Sequence, residues 1–183
     1  MSYPGFEDAM RRVITGDGPD AQSLIILDGP PANVANAVNP ASLFEIWHDA
    51  ANGPLDPKQT QDRGETIPML CPSPGQVKVR WFVVNPLPEG VTPEQIKPLA
   101  REAFKAIGAE ACIADQDKHA AMHRTHSLDI IAVLSGDVSL VLDTSETRLK
   151  PGNIVIQRGT AHAWRAHGGP ALMLAVLIDR DLA

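Results

Sequence analysis

From residue 128 to residue 178 the chain alternates short apolar segments with turn residues, a rhythm that restricts it to a sheet-built fold. Leu128-Asp129-Ile130-Ile131-Ala132-Val133-Leu134 ends at Ser135-Gly136-Asp137. Val138, Leu140 and Leu142 then alternate with Ser139, Val141 and Asp143, and Glu146-Thr147-Arg148-Leu149 follows a Thr144-Ser145 turn. Ile154 with Ile156, His162 with Trp164, and Leu172, Leu174, Val176 and Ile178 complete the series. Alternate residues of a strand share a face. Strands this short, with turns this frequent, imply an all-β sandwich or barrel.

The preceding half adds strands to this pattern. Arg12-Val13-Ile14-Thr15 and Ser23-Leu24-Ile25-Ile26-Leu27 flank the turn-rich Gly16-Asp17-Gly18-Pro19-Asp20, which signals a hairpin. Leu43-Phe44-Glu45-Ile46-Trp47 reads as a third strand. Residues 51–76 are rich in Pro, Gly, Asp and Gln and read as a long loop, of the kind that serves as a lid or a partner-binding arm. In Val77-Lys78-Val79-Arg80-Trp81-Phe82-Val83-Val84, Val77, Val79, Trp81 and Val83 fall on one face. One helix is expected. Thr92-Pro93-Glu94-Gln95 has the form of a capping box with proline at the first helical position. Ile96, Leu99, Ala100, Ala103 and Ile107 follow a helical stripe that ends at Gly108. Pro98 removes a hydrogen bond, so the expectation is a short first turn and a main helix over 98–107, lying against the outside of the sheets.

Chemistry concentrates in His123-Arg124-Thr125-His126-Ser127-Leu128-Asp129, followed by Gly136, and in Gly152 with Gly159-Thr160-Ala161-His162. These segments resemble the two motifs of the cupin family. His123 matches the first histidine of motif one, Thr125 stands at the second, and Asp129 holds the place of the glutamate, six residues before Gly136. Gly159 to His162 matches the Gly-x-x-His part of motif two. Gln157-Arg158 replaces the usual proline region, and Ala166 stands where asparagine is common. The likeness covers roughly residues 110–180. It implies a double-stranded β-helix, or jelly-roll barrel, with residues 1–109 as an N-terminal extension of strands, long loop and short helix. Residues 1–183 then form a single domain with its barrel core over 110–183. No second histidine pair of this spacing occurs earlier, so the early strands are expected to extend the same sheets or to swap onto a partner.

The resemblance implies a divalent transition metal (Fe, Zn, Mn or Ni) held by His123, Asp129 and His162. Imidazole and carboxylate suit those ions, and two imidazoles with one carboxylate leave positions open for substrate. Asp129 interrupts an apolar run, where a carboxylate is costly unless it is paired or bound. Asp129, Thr125 and His126 are the catalytic candidates. Thr125 can donate a hydrogen bond to a ligand or a metal-bound water. Alternation places His126 on the face opposite His123, so its role requires a bulge that turns it inward. His119 is a possible barrel-mouth residue, whereas His48 and His167 lie in polar or turn-like contexts. Trp81 and Trp164 read as core; Arg124, Arg158 and Arg165 are solvated unless one orients an anionic substrate.

Whole-chain properties exclude several classes. A net charge of −6, with no Lys/Arg cluster, argues against nucleic acid. The apolar run Ala171 to Ile178 is too short to span a bilayer. The first residues, Met-Ser-Tyr-Pro-Gly-Phe-Glu-Asp, have no basic or apolar region of a secretory signal. Two cysteines, Cys71 and Cys112, imply no disulfide framework, and a reducing cytoplasm is the expected compartment. The leading expectation is a cytoplasmic homodimer that binds a metal and a small organic metabolite, as an oxidoreductase or a Lewis-acid enzyme. A metal-free enzyme of the epimerase or dehydratase type, with His123 and Asp129 as acid and base, is the alternative. A binding module without turnover is a third reading.

Overall fold

The computed structural model describes residues 3–33 and 42–183. Among the described residues, ten strands and one α-helix follow in order, with a short 3-10 turn at Glu110–Cys112: β1 Arg12–Asp17, β2 Ser23–Gly29, β3 Leu43–Ala50, β4 Gln76–Val84, α1 Pro93–Ala106, β5 Ser127–Ser135, β6 Val138–Leu142, β7 Glu146–Leu149, β8 Ile154–Arg158, β9 His162–Ala166 and β10 Ala171–Asp179. No helix among the described residues is long and apolar enough to cross a membrane.

Two antiparallel sheets face each other as a jelly-roll barrel. One has the order β3-β4-β10-β5-β8. The other has the order β7-β6-β9 and is widened by single bridges from His162 to His123 and from His123 to Ile113. The expected strands are all present. The early strands divide: β3 and β4 extend the larger sheet, whereas among the described residues β1 and β2 pair only with each other. The turn before β6 needs its glycine. Gly136 has φ +86°, and a Cβ there would stand 2.7 Å from both Ala171 Cα and the Pro170 carbonyl oxygen.

Register assigns the faces. Val133, Ile131 and Asp129 of β5 lie opposite Met173, Ala175 and Leu177 of β10, which in turn lie opposite Phe82, Arg80 and Lys78 of β4. These residues point inward. The apolar face of β4 therefore points outward, and Lys78 and Arg80 lie inside the barrel, both 1% exposed. Part of the outer face is covered by the chain's own N-terminal segment: Tyr3, Phe6 and Met10 pack on Phe44, Trp81, Val83 and Leu172. The rest is bare, with Ile130, Leu134, Ile154 and Ile156 between 40% and 63% exposed.

The helix departs from expectation in two ways. It runs unbroken from Pro93 through Pro98 to Ala106. Gln95 Oε1 accepts from the Thr92 backbone N–H at 2.9 Å and secures the first turn, so the bond lost at Pro98 does not divide it. It also lies over the barrel mouth rather than against the outside of the sheets. Ile96, Ala100, Ala103, Phe104 and Ile107 line an interior cavity, while Leu99, counted in the expected stripe, is 66% exposed.

The segment between β3 and β4 is tied down along its length. Asp62 accepts two hydrogen bonds from Arg12, at 2.7 and 2.6 Å. Arg63 pairs with Asp49 at 2.5 Å, and Glu65 with Lys78 at 2.8 Å. It is a strap across the charged end of β4. Near its end Cys71 meets Cys112, with the two Sγ atoms 3.5 Å apart and both thiols free.

Candidate active site

A cavity of about 320 Å³ opens between the two sheets under α1. Leu43, Leu70, Phe82, Leu87, Trp164 and the inner face of the helix form its apolar walls. Its polar lining consists of Arg80, His119, His123, Thr125, Asp129 and His162, among others.

The imidazoles sit on the smaller sheet. His123 and His162 exchange backbone hydrogen bonds at 2.9 Å in both directions, which brings their ring centroids to 4.3 Å. Phe104 of the helix lies 5.2 Å from the His123 ring. A carbonyl can only accept. The contacts of His123 Nδ1 with the Ala121 carbonyl (2.9 Å) and of His162 Nδ1 with the Thr160 carbonyl (3.0 Å) therefore put the proton on Nδ1 in each ring. The Nε2 lone pairs remain available. Burial holds both rings below the usual histidine range, and His162, also beside His123, is pushed down to about 3. His119 has the opposite tautomer: its Nδ1 accepts from the Ala121 N–H at 3.2 Å, which leaves Nε2 to donate. Burial lowers its pKa as well.

Asp129 stands on β5, in the facing sheet, and is 2% exposed. Thr125 Oγ1 donates to its Oδ2 at a long 3.4 Å, and Ser127 Oγ donates to Thr125 Oγ1 at 2.9 Å. Oδ1 has no partner. Burial raises this carboxyl to about 6, against smaller opposing effects of the two hydroxyls and Arg80.

Beside Asp129 lies a buried charge cluster. Arg80 Nη2 is 2.8 Å from Glu45 Oε1 and donates to the Met69 carbonyl at 2.5 Å. Lys78 Nζ donates to Glu65, Met69 and Cys71 at 2.8, 3.0 and 3.1 Å. Burial raises Glu45 and lowers Lys78, in each case against the pull of the opposite charges.

Of the residues singled out by sequence, His123, Thr125, Asp129 and His162 share this cavity, and His119 joins them. His126 does not. It is exposed and lines a separate shallow depression with Arg124 and Asp143, because strand alternation turns it away and no bulge reverses it. Trp164 packs against the core and also lines the cavity, and Trp81 is core on the outer face. Arg124 and Arg158 are exposed, and Arg165 pairs with Glu146 at 2.8 Å. The arginine in the cavity is Arg80, and sequence reading missed it along with Glu45, Lys78 and Phe104. The available signal was the charge pair Lys78 and Arg80 alternating with the valines of β4.

The donor set fits a metal only in part. His123 and His162 present two neutral imidazoles with fixed tautomers, as metal ligands require. Asp129 is engaged with Thr125 on the facing sheet, and among the described residues no group of three or more His, Cys, Asp and Glu side chains is placed to hold an ion. The set His123, Asp129 and His162 is thus brought to one cavity without being assembled as three ligands.

No protein-family model matches the chain. Curated proteins match it over short stretches. Phomopsin biosynthesis cluster protein C' of Diaporthe leptostromiformis is 56% identical over 45 residues, 24% of each chain. The cupin-domain-containing oxidoreductase fogC of Aspergillus ruber is 44% identical over 63 residues, 32% of this chain and 31% of the relative. The corresponding virC protein of Hypocrea virens is 40% identical over 63 residues, 32% of each chain. The matches thus span about a quarter to a third of these relatives' lengths. Among solved structures, a cupin 2 conserved barrel domain protein from Salinispora arenicola is 21% identical, with 60% of this chain and 71% of that chain covered and a TM-score of 0.35. The two-sheet barrel and the motif spacing are thus similar to those of proteins named as cupin-domain-containing.

Proposed function

We propose that the cavity is the active site of a small-molecule enzyme that moves a proton next to a carbonyl or hydroxyl group, in isomerisation or dehydration. The observation that carries this reading is Asp129: a buried carboxyl with one unpartnered oxygen and a pKa near 6, facing neutral imidazoles across an apolar cavity. A group poised near neutrality can both take and return a proton. A substrate between the sheets meets Asp129 on one side. On the other it meets the Nε2 lone pairs of His123 and His162, which accept from a hydroxyl and orient it. The Nε2–H of His119 is a donor for a developing oxyanion. A panel of small oxo- and hydroxy-compounds incubated in D2O tests the reading. Deuterium should enter at the carbon beside the carbonyl, and Asp129→Asn should slow this about a hundredfold or more. Undiminished exchange in that variant would remove Asp129 from the chemistry.

A metal-dependent oxidoreductase is the second reading, favoured by the paired Nε2 atoms and by the names of the fogC and virC relatives. In it, His123 and His162 hold a divalent transition metal that supplies Lewis acidity or redox chemistry. Titration of metal-stripped protein with Fe(II), Zn(II), Mn(II) and Ni(II) separates the two. Under the first reading, deuterium exchange is unchanged by metal or chelator. Tight stoichiometric binding that exchange requires, lost in His162→Ala, would establish the second.

We also propose a homodimer. The bare part of the larger sheet's outer face, at Ile130, Ile154 and Ile156, continues the area that Tyr3, Phe6 and Met10 cover, and it ends at the free edge of β8. An aliphatic face beside an open edge invites pairing with a second copy. Sedimentation should give twice the 19.6 kDa chain mass for the wild type, and the single chain mass for Ile154→Glu with Ile156→Glu. A wild-type monomer at micromolar concentration would overturn the proposal.

A further inference from the structure

Arg80 has more donor capacity than the protein uses. It is 1% exposed, and its Nη2 meets Glu45 and the Met69 carbonyl. Among the described residues its Nε and Nη1 have no hydrogen-bond partner. Orphaned N–H groups on a buried guanidinium are costly, the more so because the group is charged. Arg80 also lines the cavity, next to Asp129, whose Oδ1 is unpartnered too. Among the described residues, two donors of Arg80 and one acceptor each on Glu45 and Asp129 are without hydrogen-bond partners, and Arg80 and Asp129 border one space. The buried cations Lys78 and Arg80 face the carboxylates of Glu45 and Glu65, and Glu65 is 22% exposed. The opposite end of the cavity is apolar, formed by Leu87, Ile96, Ala100 and Phe104.

We propose that Arg80 is the anion anchor of the cavity, and that its ligands are small organic acids with an apolar body whose carboxylate lies on the Arg80 floor. This rests on the reading of the cavity as the ligand site and narrows it to a substrate class. The carboxylate takes the free nitrogens of Arg80 in charge-assisted hydrogen bonds. Asp129 Oδ1 accepts from a hydroxyl of the same ligand or takes its proton. The ring or chain fills the space under α1. The polarity of the binding mode is thereby fixed, carboxylate inward and apolar end toward the helix.

The test compares benzoate with benzamide, nearly equal in shape and different in charge, by calorimetric titration of the full chain. Benzoate should bind at least about tenfold tighter, the difference expected when the acceptor facing a buried guanidinium carries the charge. The double variant Glu45→Gln with Arg80→Met removes anchor and counter-ion together, so neither is left as a lone buried charge. Where it folds by circular dichroism, it should bind both compounds equally. Equal binding of the two by the wild type overturns the anchor and leaves the cavity reading standing. A benzoate preference that survives in the folded double variant assigns the anion to another residue. Binding of neither compound, with no competition by either against deuterium exchange, overturns anchor and cavity reading together.

Discussion

Arg80→Met is expected to lower the unfolding free energy by about 3–5 kcal/mol, the cost of leaving one member of a buried ion pair alone. Both side chains are 2% exposed, so solvent cannot take over the role of the lost partner. The variant also removes a hydrogen bond to the Met69 carbonyl, which fastens the strap to β4. Glu45 responds by protonation. Burial already raises its pKa, and without Arg80 it rises further, so the loss should be largest near pH 8 and smaller near pH 5. Glu45→Gln with Arg80→Met should lose less than the two single changes added together. Denaturant unfolding of the four proteins forms a double-mutant cycle, and strictly additive losses would mean that the pair is not coupled.

The second large effect runs the other way. Asp129→Asn should stabilise the protein at pH 8 by up to about 3 kcal/mol, the free energy that separates 3.8 from about 6, less whatever an unpartnered amide costs. The sign follows from linkage. A carboxyl whose pKa is higher in the folded state favours folding while it is protonated. That contribution is complete below about pH 4 and lost as the pH rises through about 6. The advantage of the asparagine variant should therefore vanish near pH 4 and reach its full size by about pH 7–8. Glu45 contributes a slope of the same sign to both proteins, so the difference between their profiles isolates Asp129. Parallel profiles would show that Asp129 is not held in a charge-averse position. A residue that costs stability when ionised and lies on a cavity floor matches a site kept for chemistry rather than for folding.

The barrel was legible because its signals are local. The glycine turns, the alternation of β6 and β10, and the interval from His123 to Asp129 are all written in consecutive residues. Period two also grouped Val77, Val79, Trp81 and Val83 correctly. It could not say which face of β4 is inside, because alternation gives membership of a face and not its direction. Apolar residues would by habit be placed inward, yet here they face out under the N-terminal segment, and Lys78 and Arg80 face in. That reversal hid the anchor and its counter-ion. The same limit explains the helix: its stripe was visible, but whether it lies on the barrel's flank or across its mouth depends on contacts with Phe82 and His123, distant in sequence. The two imidazoles named from the motif spacing, His123 and His162, lie together in one cavity. The separation of Asp129 from them arises from its place in the other sheet, which register and not spacing decides.

The two thiols near the cavity wall place a condition on all of these measurements. Cys71 and Cys112 are 41 residues apart in sequence and 3.5 Å apart in space. Joining them would restrict the unfolded chain by about 4 kcal/mol. Leu70 precedes one thiol and lines the cavity; Ile113 follows the other and bridges to His123. A sample that air has partly oxidised is thus a mixture of two covalent species, with different melting temperatures and differently tethered walls. Burial and the neighbouring Cys112 push the Cys71 thiol up to about 12, which makes interchange between the species slow and preserves the mixture through an experiment. Melting curves and ligand titrations are single-valued only for protein whose thiols have been reduced beforehand, or in which Cys71→Ser has removed the choice.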